Sequence, residues 1–253
     1  MSKSGKRVAW VTGGGSGIGE AGAEALAADG WMVVVSGRRQ SALDAVVANI
    51  IKAGGAAEAM ALDVSDAAAA QTAADQIVAK HGRIDLLVNN AGINVPKRSW
   101  QDMELEGWDR LVQVNLNGVL YCMRAVLPTM RKQQDGAIIN VSSWAGRHVS
   151  KMPGPAYTTT KHAVLALTHS FNMDECVNGL RACCLMPGEV ATPILKLRPV
   201  VPSEAEQAKM LQPEDLGRTI AFIANMPARV CINEVLISPT HNRGLIQTPN
   251  SRD

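Results

Sequence analysis

The chain has 253 residues, 47% apolar, 19% charged and only 4% aromatic, with a formal net charge of +2. That balance suits one α/β domain with a sizeable core. The small charge, without a dense Lys/Arg block, argues against a nucleic-acid partner, and no segment approaches the roughly 20 apolar residues of a membrane span.

The opening MSKSGKRVAWVTGGG is basic, but its apolar run is short and breaks at glycines, so 7–13 reads as a first strand and not as a signal peptide. VTGGGSGIGEAG then leads into a helix over 18–29. Glycines allow a tight turn and close backbone approach, while free helix N–H groups and the helix dipole favour a phosphate. Gly17, Gly19 and Gly22 satisfy G-x-G-x-x-G but begin late, inside the helix. Gly13, Gly17 and Gly19 make T-G-x-x-x-G-x-G from the strand end and are the preferred reading, against a glycine turn without a ligand.

The second strand, 31–37, runs into VVVSGRRQ. No carboxylate stands there to hold a ribose 2′-hydroxyl; Arg38 and Arg39 do instead. Paired guanidinium hydrogen bonds would grip a 2′-phosphate, so NADP(H) is favoured over NAD(H). The plain alternative is two solvated arginines opening the next helix.

A helix over 41–53 capped by Ser41, a strand over 57–65, a helix over 66–81 capped by Asp66 and a strand over 84–92 continue the alternation. One long helix is expected over 104–132, then a strand over 137–143, a helix over 157–177 and a strand over 180–188. A helix over 213–226 opening on Pro213 and a strand over 234–240 complete the set. Several strands are nearly continuous in Val, Ile and Leu, as when both faces are covered. The order predicts an α/β fold, a single-domain doubly wound parallel sheet of about seven strands with helices on both faces, spanning 1–253 without a linker or repeat.

Residues 190–212, with three prolines and no strong period, read as a mobile segment covering a substrate, and 246–253 as a polar tail. The helices near 108–127 and 157–171 are apolar around most of their circumference, so they are either internal or at a subunit interface; association is the preferred reading. The five cysteines, without C-x-x-C or a histidine at ligand spacing, read as buried free thiols of a reducing compartment, with no metal and a cytoplasmic location.

Within PGPAYTTTKHAV, Tyr157 and Lys161 fall on one helix face, four residues apart. Alone, the pair decides nothing. With the glycine loop, DV at 63–64, NNAG at 89–92, Asn115, SS at 142–143 and PGEVAT at 187–192, in this order, the chain resembles the short-chain dehydrogenase/reductase family over about residues 6 to 240. The resemblance implies a Rossmann-type sheet, a nicotinamide cofactor, carbonyl–alcohol redox chemistry on a small molecule and a homotetramer or dimer.

It further implies catalytic roles for Asn115, Ser143, Tyr157 and Lys161. The implied cofactor set is Gly13, Ser16, Gly17, Ile18, Gly19, Arg38, Arg39, Asp63, Val64, Asn89, Ala91, Gly92, Tyr157, Lys161, Pro187, Gly188, Val190 and Thr192. Asp63 and Val64 resemble the adenine contacts, Asn89 the strand-stabilising cofactor neighbour and Thr192 the hydroxyl near the carboxamide. Ser142 is the other candidate for the serine, because the segment from Ser143 to Tyr157 is one residue longer than the family's usual spacing. The C-terminal INEVLISPTHN also departs from the common glycine-rich ending and looks like a branch of NADP-dependent reductases and 3-hydroxy-acid dehydrogenases.

Such chemistry delivers hydride to a carbonyl carbon and a proton to its oxygen. A free tyrosine, with a pKa of about 10, is a poor base near neutrality. An ammonium about 4 Å away, at an effective dielectric near 20, would favour phenolate by roughly 4 kcal/mol, or about 3 pK units. Lys161 is therefore expected to tune Tyr157 and to hold ribose hydroxyls. His148, His162 and His169 are assigned to structure or surface. Candidate substrate walls are Val95, Trp100, Trp144, Met152, Ile194 and Leu195. Lys196 and Arg198 could attract an anion, or form a solvated charge pair. The competing readings are a non-catalytic dinucleotide sensor or scaffold, an NAD-preferring 3-hydroxy-acid or sugar dehydrogenase, and a related dehydratase or epimerase.

Overall fold

The computed structural model describes residues 6–198 and 200–243. The segment expected as a polar tail, 246–253, lies outside them. Seven strands form one sheet: β1 (Val8–Thr12), β2 (Met32–Gly37), β3 (Ala56–Ala61), β4 (Leu86–Asn89), β5 (Gly136–Val141), β6 (Leu180–Pro187) and β7 (Glu234–Ile237). Their order is β3-β2-β1-β4-β5-β6-β7 and every pairing is parallel. This is a Rossmann-type doubly wound sheet, and its strand order reverses between β1 and β4.

The continuous apolar runs divide by period two. In β1, Ala9 and Val11 enter one core with Leu26, Leu43 and Ile220, while Val8 and Trp10 enter the other with Ile77, Val126 and Val164. Helices α1 (Gly17–Ala28), α2 (Gln40–Lys52) and α8 (Pro213–Ala224) cover the first face. Helices α3 (Ala67–His81), α5 (Gly118–Gln133) and α6 (Pro155–Glu175) cover the second. The Trp10 indole N–H, trapped in the core, is satisfied by the Ser36 hydroxyl at 2.9 Å.

Asp66 caps α3 as expected, accepting from the backbone N–H groups of Ala68 and Ala69. Ser41 does not cap α2: the helix begins one residue earlier, Arg39 holds the cap position and Ser41 lies inside the first turn. The single helix expected over 104–132 is three pieces, α4 (Leu105–Val112), a π turn at Gln113–Asn117, and α5. Residues 190–212 carry a 3-10 turn (Pro193–Leu197) and α7 (Glu204–Gln207), tied down by the Val190–Leu211 bridge and by buried Leu195. The cysteines make no disulfide; Cys122, Cys183 and Cys184 are buried, but Cys176 and Cys231 are exposed, contrary to expectation, because they fall in a turn after α6 and in the loop before β7 and not on a covered element. Among the described residues, no helix is long and apolar enough to cross a membrane and no cluster of His, Cys, Asp or Glu could hold a metal.

Candidate active site

A cleft of about 1330 Å³ follows the carboxyl ends of β1, β4, β5 and β6. In an open parallel sheet this edge, at the point where strand order reverses, is where ligands bind. Ser16, Gly17 and Ile18 line it at the start of α1, whose cap position offers no side-chain hydrogen bond. First-turn N–H groups of a helix without such a cap, together with its dipole, favour an anion.

The glycine loop is held by packing as much as by its turn. Gly13 has φ +64°, and a Cβ on it would stand 2.8 Å from the Ala91 Cα. Asn90 Nδ2 donates to the Thr12 and Gly13 carbonyls at 3.2 and 3.1 Å, and the Thr12 hydroxyl oxygen accepts from the Asn90 and Ala91 N–H groups. Thr12 and Asn90, which stand in the two sequence motifs but were given no role of their own there, thus clamp the loop to the end of β4. Gly22 lies inside α1 against Ile220, so it serves helix packing and not the phosphate turn.

Of the other cofactor candidates, Ala91, Gly92, Pro187, Gly188, Val190 and Thr192 line the cleft. Gly19 does not, but a Cβ there would stand 2.3 Å from the Gly13 carbonyl oxygen, so it closes the loop from behind. Arg38 and Arg39 are exposed just beyond β2, off the cleft wall. Asp63 Oδ1 accepts from the Ser65 hydroxyl and N–H, which hold its carboxyl below the usual range with help from Arg38 and Arg110. Val64 is buried against Gly118 of α5. Asn89 Nδ2 donates to Asn140 Oδ1 at 2.9 Å, and Asn140 donates to Thr168, which ties β4 and β5 to α6.

The reactive side chains come from three places, the π turn, the turn after β5 and α6. Ser142 and Ser143 follow β5, and their roles separate cleanly. The Ser142 hydroxyl is buried and donates to the Lys161 carbonyl at 2.8 Å. Ser143 is half-buried, accepts from the Ala145 N–H and stands close enough to the Tyr157 hydroxyl to act on it. Between Ser143 and Tyr157 the chain makes a 3-10 turn (Trp144–Gly146) and a loop over 147–154 before α6 begins.

Burial pushes the Tyr157 hydroxyl above its ordinary value; the Ser143 hydroxyl and the Arg198 and Arg98 guanidinium groups oppose that shift. The lysine is not what opposes it. Lys161 Nζ sits 5.6 Å from the Tyr157 ring centroid, donates to the Val141 carbonyl at 2.9 Å, and is pushed down to about 8 by burial, against the influence of Cys184. Lys161 thus ends over the tyrosine ring, and the cations acting on the Tyr157 hydroxyl are Arg198 and Arg98.

Asn115 is fully buried in the π turn, where its amide accepts from the Ile93 N–H at 2.8 Å and donates to the Ile93 carbonyl at 2.9 Å. A Cβ on Gly92 would lie 3.5 Å from both Asn115 Oδ1 and Lys161 Nζ, so the glycine leaves the space before the lysine open.

Among the substrate candidates, Trp144, Met152, Ile194 and Leu195 line the cleft. Val95 and Trp100 do not: Val95 packs toward Gly107 of α4, and Trp100 is 82% exposed. The loop after β4 instead buries Arg98 in the cleft wall, with exposed Ser99 and Asp102 at its edge. His148 stacks on Trp144 with centroids 4.4 Å apart, His162 bonds the Thr158 carbonyl, and His169 lies 3.1 Å from Glu234. Arg98 is the chief omission of the sequence reading. Nothing in its local sequence separates it from the exposed Lys97 next to it.

The family model for short chain dehydrogenases matches residues 7–199. A 3-oxoacyl-[acyl-carrier-protein] reductase of Synechocystis sp. is 39% identical over 237 residues, covering 89% of this chain and 92% of that protein. An alcohol dehydrogenase of Thermococcus sibiricus, solved with 5-hydroxy-NADP, superposes with a TM-score of 0.84 at 26% identity, over 94% of this chain and 98% of that one. A metagenomic short-chain oxidoreductase in complex with NADP has a TM-score of 0.81 at 33% identity, with 93% and 98% covered.

Proposed function

The chain belongs to the short-chain dehydrogenase family, and on that footing we propose that it interconverts a secondary alcohol and its carbonyl compound with NADP(H) in preference to NAD(H). The observation that carries the reading is the Tyr157 hydroxyl, set beside Ser143 in the same cleft as the uncapped start of α1. Anion-ready N–H groups at one part of a cleft and a proton donor at another suit a dinucleotide and a reacting oxygen.

When bound, the nicotinamide would give its hydride to the carbonyl carbon and leave oxidised, or take the hydride back in the reverse direction. The chain supplies the proton. Tyr157 donates its O–H to the substrate oxygen as the C=O bond becomes C–O–H, and recovers the proton in oxidation. Ser143 donates a hydrogen bond to that oxygen and holds it in place. Lys161, with one N–H on Val141, has two more to offer ribose hydroxyls beyond Gly92. Asn115 fixes Ile93 and, through it, the NNAG turn.

Arg38 and Arg39 are proposed to grip the 2′-phosphate and Asp63, within electrostatic reach of Arg38, to accept from adenine beside Val64. The NADP complexes of two structural neighbours support that preference. A homotetramer or dimer in the cytoplasm completes the proposal.

The test is a panel of ketones, keto acids and sugars with NADPH or NADH, followed by reduced-cofactor absorbance. Tyr157→Phe is expected to lower turnover about 100- to 10,000-fold while NADPH still binds, read by its fluorescence. Full activity in that variant would sink the mechanism. Replacing Arg38 and Arg39 together should weaken NADPH far more than NADH, and equal losses would refute the 2′-phosphate reading.

A further inference from the structure

Arg98 lies on the loop after β4 and is only 9% exposed, yet it lines the cleft beside Tyr157. Its seat is built. Gly154, the cap residue of α6 with φ +82°, passes so close that a Cβ there would stand 2.2 Å from the Arg98 carbonyl oxygen. The loop carrying Arg98 is therefore locked to the start of the helix that carries Tyr157 three residues on.

The guanidinium is poorly matched by the protein. Its Nη2 donates to the Leu197 carbonyl, but its buried Nε–H has no hydrogen-bond partner, and no carboxylate pairs with it among the described residues. The nearby charge with most influence on it is another cation, Arg198. Arg198 pairs with Glu189 at 2.7 Å, and Arg243 bridges Glu189 at 2.6 Å and Glu206 at 2.8 Å, so these two cations share two carboxylates and Arg98 is left without one. Asp102, the one carboxylate acting on Arg98, is exposed and hydrogen-bonds Ser99. A buried guanidinium without an anion is costly, and an unpaired buried N–H adds to the cost.

The missing anion is not Tyr157, whose burial favours the neutral phenol. Nor do the cofactor phosphates account for it, since the N–H groups that would receive them belong to α1. Both arginines act on the Tyr157 hydroxyl, so the unmatched charge stands at the reacting centre. We propose that Arg98, assisted by Arg198, binds an oxyanion, carboxylate or phosphate, carried by the carbonyl or alcohol substrate itself. The proposal rests on the oxidoreductase reading for the word substrate, but the anion site itself does not.

The experiment uses the full chain and matched pairs: 2-, 3- and 4-oxo acids against their methyl esters, and dihydroxyacetone phosphate against dihydroxyacetone. Two readouts are taken, kcat/KM with NADPH and the rise in melting temperature that each compound produces with NADP+ present. The charged member of at least one pair is expected to be favoured about 10- to 100-fold, as for hydrogen bonds to a charged group. Which kind of pair shows the preference tells carboxylate from phosphate. Arg98→Gln should reduce that preference at least tenfold, chiefly through KM, and Arg98→Lys should keep part of it, which separates charge recognition from a folding defect. Charged and neutral members that turn over and protect alike, or an Arg98→Gln variant that loses both equally, would overturn the proposal. Anion protection without turnover would uphold the site and refute the oxidoreductase reading; turnover without an anion preference would do the reverse.

Discussion

Tyr157 and Lys161 are both driven toward their neutral forms by burial, the tyrosine upward and the lysine down to about 8. A neutral phenol is ready to donate in reduction, but alcohol oxidation needs it deprotonated. The rate of oxidation is therefore expected to climb with pH from 7 to 9 while reduction stays nearly flat, as read from pH profiles of kcat/KM in the two directions. Lys161 has a second consequence. Its charged form is disfavoured in the fold relative to its ordinary value of 10.5, so between about 8 and 10.5 the unfolded chain binds the extra proton and stability rises with pH. The difference in unfolding free energy between wild type and Lys161→Met should shift by about 3 kcal/mol in favour of wild type across that window. A pH-independent difference would contradict the burial argument. The tyrosine–lysine pair was legible from helical spacing, and Ser143 from its motif. What the motif could not give is the reason for preferring Ser143 to Ser142, which is that the Ser142 hydroxyl is occupied by the Lys161 carbonyl.

At the level of elements, periodicity located all seven strands and most helices, because continuous apolar runs and 3.6-residue stripes are local signals. It failed at the π turn. One added residue per turn changes no composition, yet it aims Asn115 at Ile93. Helix packing likewise hides in single glycines. A Cβ on Gly217 of α8 would stand 2.6 Å from the Ala21 backbone oxygen of α1, whereas one on Gly22 would meet only the end of the Ile220 side chain at 2.9 Å. Alanine gains about 1 kcal/mol of helix propensity over glycine, while overpacking costs about 1–3 kcal/mol. Gly217→Ala should therefore lower stability and Gly22→Ala should leave it nearly unchanged or raised, because a methyl can turn aside and a helix backbone cannot. Urea unfolding of the two variants checks the contrast; equal effects would show that the helices separate freely.

For the molecule as a whole, α6 presents Met173 at 80% exposure and the turn after it Val177 at 81%, while Leu120 on α5 is 37% exposed. Apolar side chains on neighbouring helices of one sheet face suit association between copies. Light scattering is expected to give a mass of two or four chains, and a peak at the monomer mass of 26.9 kDa would remove that expectation. The doubly wound sheet, the glycine loop and the helical Tyr–Lys pair were all determined by the sequence alone. Each depends on residues a few positions apart, where strand and helix geometry leave little choice. Arg98 shows the opposite case. Its burial, its missing counter-ion and its place beside Tyr157 come from three loops meeting at the sheet edge, around Arg98, Gly154 and Arg198. No local pattern records such a meeting, since the path of each loop is set by the packing of the elements it joins. The class of chemistry was therefore readable along the chain, whereas the charge awaiting a substrate emerged only when the chain had closed on itself.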